Sequence, residues 1–185
     1  MSGNYWVELV KEGFLDPRRS AERIVSWNLS RSAVAEAYVL VAILSVLGVF
    51  ALFLGAEEGL EIPSPVYFLV MQCLAMGLFS LAVWLGGKMF GGKGDLEGSV
   101  RILVWMQALM VLIQFVQIIG AFLIAPVMGV VSMLFLGVLA WICSGLIAGL
   151  HGFRSQPLVF LGMIGGLMVV GFAVAILLLP FLPPM

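Results

Sequence analysis

The chain has 185 residues, of which 63% are hydrophobic and only 10% are charged. A soluble domain is about half apolar and about one quarter charged, so this composition predicts an integral membrane protein without an extended water-facing surface. The net charge of −1 argues against a nucleic-acid-binding protein, because such proteins carry strongly basic surfaces.

Residues 1–32 predict a cytoplasmic amphipathic region that precedes the first apolar run. The stretch "DPRRSAERIVSW" predicts a helix with Asp16 as its N-cap and Pro17 as its first residue. The helix would carry one apolar stripe, formed by Ala21, Ile24, Val25 and Leu29. Such a segment either anchors the start of the first span or forms a docking surface for a partner or lipid. In the second interpretation Arg18, Arg19 and Arg23 are contact residues.

Residues 33–185 predict an all-α domain, a bundle of five transmembrane helices. One span needs about 20 apolar residues to cross a hydrocarbon core of about 30 Å. By this criterion the spans cover residues 33–54, 66–87, 100–120, 126–150 and 157–179. The boundary between the third and fourth spans is itself apolar, and only Pro126 marks it.

The distribution of Lys and Arg predicts the orientation in the membrane. All nine lie before the first span, between spans two and three, or between spans four and five. Because positive charge concentrates on the cytoplasmic side, we expect a cytoplasmic N-terminus and a periplasmic C-terminus in a bacterial inner membrane.

The segment "GKMFGGKG", residues 87–94, matches part of the phosphate-loop pattern GxxxxGK[ST]. That loop has to follow a buried strand and continue with Ser or Thr after the Lys. Here it follows a predicted transmembrane helix, and Gly94 takes the place of the Ser or Thr. We therefore expect no nucleotide binding but a mobile connector, in which Asp95 caps the next helix and Lys88 and Lys93 lie near anionic headgroups.

Three glutamines in the third span, Gln107, Gln114 and Gln117, form the most prominent polar group at membrane depth. They are expected to make hydrogen bonds between helices of the bundle, or alternatively to line a polar path for a small solute. Two small-xxx-small pairs on spans four and five predict close helix packing, within one chain or between copies: Gly145 with Gly149, and Gly162 with Gly166.

No catalytic, cofactor or metal site is expected. His151 is the only histidine, and no partners for a metal site or a catalytic triad accompany it at depth. We expect it to support the C-terminus of its helix. Cys73 and Cys143 are expected to be free thiols, because their predicted depths differ too much for a disulfide.

Three segments carry a resemblance to a known family: "LDPRRSAERI", "FGGKGDLEGSVRILVWMQ" and "LIAGLHGF". Together they resemble bacterial members of the Yip domain family. The resemblance implies five helices and a cytoplasmic N-terminus. It also implies kinship with eukaryotic proteins of vesicle traffic that contact prenylated Rab GTPases. The Asp-Leu-x-Gly-Pro-like segment of the eukaryotic members is absent from this sequence, so a Rab partner is not carried over.

The expected function is that of a non-enzymatic multi-pass membrane protein that acts through contacts. It would organise membranes as Yip-like proteins do, or serve as an accessory subunit of a larger membrane complex. Its partners would be membrane lipids and other membrane proteins or a second copy, with no nucleic acid and no nucleotide. The alternative is a small uncoupled transporter or channel with the glutamines of span three lining its path. An intramembrane enzyme is the third hypothesis and has the least support.

Overall fold

The computed structural model describes residues 3–53, 64–123 and 128–178, and every regular element in these ranges is an α-helix. The all-α class is therefore confirmed. In chain order the helices are α1 (Gly3–Leu15), α2 (Pro17–Ser26), α3 (Arg31–Phe53), α4 (Pro65–Met89), α5 (Leu96–Leu123), α6 (Met128–His151) and α7 (Gln156–Leu178).

Within these ranges, four helices are long and apolar enough to cross a membrane. The stretches that qualify are Arg31–Ala51, Pro65–Met89, Leu96–Gly120 and Gly129–His151, and α7 adds a shorter one, Gln156–Val169. The chain is thus built as an integral multi-pass membrane protein. Helix α5, which contains the third predicted span, begins at Leu96, directly after its predicted cap Asp95. Pro126, the predicted start of the fourth span, lies outside the described residues.

Side-chain caps of one kind lie at the starts of four helices. Asp16, Ser30, Ser64 and Asp95 each accept a hydrogen bond from the backbone N–H three residues further on, at 3.1, 3.2, 3.2 and 2.7 Å. These bonds satisfy donors that the first turn of a helix leaves without partners. At α7, Ser155 accepts a hydrogen bond from the backbone N–H of Leu158, and Pro157 is the second residue of the helix.

The bundle is held together by two apolar clusters. One lies between α4, α5 and α6 and includes Val83, Ile102, Leu109, Ile142 and Leu146. The other lies between α3, α4 and α5 and consists of Val41, Ala42, Met76 and Leu103. Helix α5 belongs to both clusters and is therefore the central element of the bundle.

Helices α1 and α2 form an N-terminal hairpin that packs against α5 and α6. The predicted stripe of α2 faces the bundle, since Ala21 and Ile24 are fully or almost fully buried. Leu29 does not belong to that stripe, because α2 ends at Ser26 and Leu29 lies beyond its C-cap with its side chain exposed. The hairpin is thus a packed part of the bundle and not only a lead-in to α3.

One end of the bundle gathers the basic residues, and we call it the charged end. Here α3 and α5 begin, α4 and α6 end, and the N-terminal hairpin is attached. Contacts across this end join distant parts of the chain: Arg18 donates to the carbonyl of Arg154, and the backbone N–H of Lys93 donates to the carbonyl of His151. The charged end is where the polar chemistry of the described residues is concentrated.

Candidate contact surface at the charged end

His151, the last residue of α6, is buried at the centre of the charged end with an exposed fraction of 2%. Its Nε2 lies 3.1 Å from the carbonyl oxygen of Val83 on α4. Because a carbonyl can only accept, Nε2 carries the hydrogen of this bond. The ring also stacks on Phe153, with ring centroids 5.5 Å apart. The imidazole therefore links the ends of α4 and α6.

Three glycines enclose the His151 ring, and we call Gly87, Gly92 and Gly94 the His151 collar. A Cβ atom added to Gly92 would lie 2.5 Å from His151 Nδ1 and 2.7 Å from the carbonyl oxygen of Gly87, and one added to Gly87 or Gly94 would also collide with the ring. The backbone N–H of Gly92 donates to the Gly87 carbonyl at 2.7 Å, which closes the collar. Absence of a side chain is what this close approach requires.

The collar changes the interpretation of the glycine-rich connector. The sequence predicts a mobile turn there, but Gly92 and Gly94 are buried against α6. The sequence analysis treated these glycines and the single histidine separately and did not predict that they would be in contact. Lys88 and Lys93, predicted as contact residues, have exposed side chains on this segment. Neither forms an ion pair within the ranges that the structure covers.

Of the three arginines predicted as contact residues, Arg19 and Arg23 join the two helices of the hairpin, and Arg18 ties the hairpin to the α6–α7 connection. Glu12 on α1 receives two of them: Arg19 Nε lies 3.2 Å from its Oε1 and Arg23 Nη1 lies 2.8 Å from its Oε2. Arg18 donates from Nη1 to the carbonyl of Arg154 at 3.2 Å. These residues lie together at the charged end, but part of their charge is used within the chain.

Arg101 on α5 is a structural residue that the sequence analysis counted only as a positive charge. Its Nη1 donates to the carbonyls of Val25, in the last turn of α2, and Trp27, just after the helix, at 3.2 and 2.8 Å. Its Nη2 lies 2.6 Å from Glu97 Oε1, one turn earlier on the same helix. A guanidinium at a helix C-terminus satisfies carbonyls that the last turn leaves free. The four-residue spacing of Glu97 and Arg101 on one helix could have predicted this ion pair from the sequence.

The two predicted glycine pairs behave differently. A Cβ on Gly145 would lie 2.9 Å from Pro17 Cβ, and one on Gly149 would lie 2.8 Å from Ala21 Cβ. This pair on α6 therefore allows α2 of the same chain to pack closely against it. A Cβ on Gly162 or on its partner Gly166 would meet no heavy atom within 4 Å among the residues described.

The glutamines of α5 meet one hydroxyl of α3. Gln107 Nε2 donates to Ser45 Oγ at 2.9 Å, and Gln114 Nε2 lies 3.5 Å from the same oxygen. Gln117 makes no side-chain hydrogen bond to any part of the chain that the structure describes. The structure thus brings two of the three predicted residues together, as a contact between neighbouring helices.

The two cysteines are free, as the sequence predicts. Cys143 is buried in α6, and Cys73 is half-buried in α4. Among the described residues, no three His, Cys, Asp or Glu side chains come together in a group that could bind a metal ion. Tyr38 donates to the carbonyl of Cys73, which adds a further link between α3 and α4.

Comparison with known proteins places these features in a family. No match was found among curated proteins or among solved structures. The family model described as "Yip1 domain" matches residues 12–178, a range that begins within α1 and ends with α7. It therefore includes most of the N-terminal hairpin, the His151 collar and Arg101. Because this match extends over most of the chain, the protein belongs to the Yip1 domain family.

Proposed function

We propose that this protein is a non-enzymatic membrane protein that acts through contacts of its charged end with other membrane proteins and lipids. The observation that carries the proposal is the docked N-terminal hairpin. Helices α1 and α2 are packed onto α5 and α6 and tied by Arg101, so they form a preorganised surface. A rigid surface binds with a smaller entropic cost than a segment that orders only on binding.

The chemistry of the buried groups supports a contact role over an enzymatic one. His151 uses Nε2 on the Val83 carbonyl and is enclosed by the collar, so no substrate can approach its ring without displacing backbone. A general base has to lie within hydrogen-bond reach of the proton that it removes. The only histidine therefore serves packing in this arrangement.

The proposal includes five spans with the charged end in the cytoplasm. Helix α7 has 23 residues, which at about 1.5 Å per residue gives about 34 Å, enough for a hydrocarbon core of about 30 Å. The basic residues collect at the end where α3 and α5 begin. Under the positive-inside rule this end faces the cytoplasm, and the inner membrane of a bacterium is the proposed location.

The contact surface can be tested without disturbing the fold. Lys88 and Lys93 have exposed side chains and form no ion pair within the described ranges, so Lys88→Gln with Lys93→Gln should remove charge but leave packing intact. The measurement is affinity purification in a mild detergent, followed by mass spectrometry of co-purifying proteins and lipids. We expect the double variant to lose partners that the unmodified protein retains.

The matched control is Lys88→Arg with Lys93→Arg, which keeps both positive charges at the same exposed positions. This control should retain the partners that the Gln double variant loses. An identical partner and lipid set for all three proteins would contradict a contact role for this surface. A purified protein that converts a substrate would contradict the non-enzymatic assignment.

A further inference from the structure

An open groove of about 570 Å³ lies between the first turns of α3 and α5. Its lining residues are Arg31, Val34, Ala35, Tyr38 and Val39 from α3, and Leu96, Glu97 and Val100 from α5. The volume is within the range of about 300–1,000 Å³ that is usual for small-ligand sites. Because both helices can cross a membrane and both begin here, the groove lies where the charged end meets the bilayer.

The mouth of the groove carries a cation whose charge is largely free. Arg31 has a side-chain exposed fraction of 92%, and its Nε lies 3.8 Å from Glu97 Oε2. The other oxygen of Glu97 already receives Arg101 at the much shorter distance of 2.6 Å. Asp95 is turned to its own helix, where it accepts the backbone N–H of Gly98. The Arg31, Glu97 and Arg101 group therefore has a net charge of +1.

Below this mouth the groove is apolar. Val34, Val39 and Val100 line it, and Val39 is 47% exposed. A guanidinium above an aliphatic floor matches the two parts of a phospholipid, since arginine binds phosphate with paired hydrogen bonds and an acyl chain fills apolar surface. At the surface of a bilayer, a phospholipid supplies both parts in a single molecule.

From this arrangement we propose that the α3–α5 groove binds one anionic glycerophospholipid of the adjoining leaflet. The lipid phosphate lies at Arg31, and one acyl chain runs along Val34 and Val39 towards the membrane interior. This inference rests on the proposed contact function and names one of its partners. It concerns a different surface from Lys88 and Lys93, so the two can fail independently.

The test uses full-length protein purified in detergent and mixed with phosphatidylglycerol, phosphatidylcholine or inorganic phosphate. Native mass spectrometry would count the retained lipid, and a phosphatidylglycerol titration would give its affinity. We expect one phosphatidylglycerol per chain, weaker retention of phosphatidylcholine and no displacement by millimolar phosphate. Arg31→Gln should weaken phosphatidylglycerol binding about fivefold, the contribution of one Arg beside an anionic headgroup.

A second variant tests the floor without altering the charge. Val39→Trp fills the groove and should reduce retention of both lipids, whereas Leu47→Trp, at an exposed α3 position outside the groove, should not. Unchanged phosphatidylglycerol binding in both Arg31→Gln and Val39→Trp would overturn the proposal. Displacement by inorganic phosphate would also overturn it, because the site would then bind free anions. If only the Lys88 and Lys93 experiment fails, the lipid site still stands.

Discussion

Gly92 lies so close to the His151 ring that a single added methyl group tests the contact. Its backbone is not in the left-handed region, so space is the only restriction on a side chain there. A Cβ would lie 2.5 Å from Nδ1 and 2.7 Å from a backbone oxygen that cannot move aside easily. We expect Gly92→Ala to lower the free energy of unfolding by about 1–3 kcal/mol, the usual cost of overpacking.

The measurement is denaturant unfolding in detergent micelles, followed by tryptophan fluorescence. Gly86→Ala is the matched control, because a Cβ at Gly86 would meet no described heavy atom within 4 Å. In a His151→Ala background the Gly92→Ala change should cost less, since the contact with Nδ1 is gone while those with the Gly87 carbonyl oxygen and the Cβ of residue 151 remain. Equal destabilisation in both backgrounds would show that the ring is not what excludes a side chain.

The hydroxyl oxygen of Ser45 is contacted by the side-chain amides of both Gln107 and Gln114. Interhelical hydrogen bonds in membranes contribute about 0.6 kcal/mol on average. We therefore expect Gln107→Leu, which removes the 2.9 Å bond, to lower the free energy of unfolding by about this amount. Gln114→Leu should cost less, because its contact of 3.5 Å is at the limit of a hydrogen bond.

A double-mutant cycle separates this contact from general packing effects. Once Ser45 is replaced by Ala, Gln107→Leu should cost close to nothing further. Liposomes reconstituted with each variant should be as permeable to small solutes as those with the unmodified protein. A solute flux that depends on Gln107 or Gln114 would instead support the transporter alternative.

Among the contacts between helices, those of Arg101 join the N-terminal hairpin to α5. Its side chain is 13% exposed, and its bonds to the Val25 and Trp27 carbonyls hold the end of α2. Hydrogen bonds that involve a charged group contribute about 1.5–3 kcal/mol each, so Arg101→Gln should loosen the hairpin by at least this amount. Limited trypsin digestion should then cut faster within α2, at Arg18, Arg19 and Arg23.

Arg31→Gln is the control for that experiment, because exposed ion pairs contribute at most about 1 kcal/mol. It should leave the rate of tryptic cleavage in α2 unchanged. Arg101→Lys should give an intermediate rate, since an ammonium cannot reproduce the planar fork of a guanidinium. Protection of α2 that survives Arg101→Gln would mean that Pro17, Ala21 and Ile24 hold the hairpin by packing alone.

The sequence predicts the elements better than their contacts. Apolar length and cap residues such as Asp16 and Asp95 act within one helix, so they can be recognised without tertiary information. The contact of Gly149 with α2 depends on which helix lies opposite it, and the pair Gly162 and Gly166 has the same pattern with no neighbour within 4 Å among the described residues. Helical periodicity alone cannot separate these two cases.

The same reason explains why the His151 collar was not predicted. Gly87, Gly92 and Gly94 are close in sequence, but the ring that they enclose comes from a residue more than fifty positions later. The single-sequence pattern of these glycines is that of a turn, which is a local property. Their packing role depends on α4 and α6 ending side by side, and only the tertiary structure contains that information.

The two ends of the bundle differ in the kind of contact that joins their helices. The charged end combines the hairpin, the His151 collar and Arg101 into one interlocked unit, held by polar bonds between distant segments. Towards the far end, the described interhelical contacts are mainly apolar, such as the edge-to-face pair of Phe50 and Phe68. Specific recognition of polar partners is therefore expected at the charged end, and bilayer contact along the rest.

The orientation of the whole molecule in the membrane can be tested at α7. If α7 crosses the membrane, the connection at Arg154 and the C-terminal Met185 lie on opposite sides. Single cysteines at these positions, in a background without Cys73 and Cys143, should react with a membrane-impermeant maleimide from opposite sides of oriented vesicles. Cysteine at Lys93 is the control and should label with Arg154, because the positive-inside rule places both in the cytoplasm. Labelling of Arg154 and Met185 from the same side would reduce the protein to four spans, and α7 would then lie along the membrane surface.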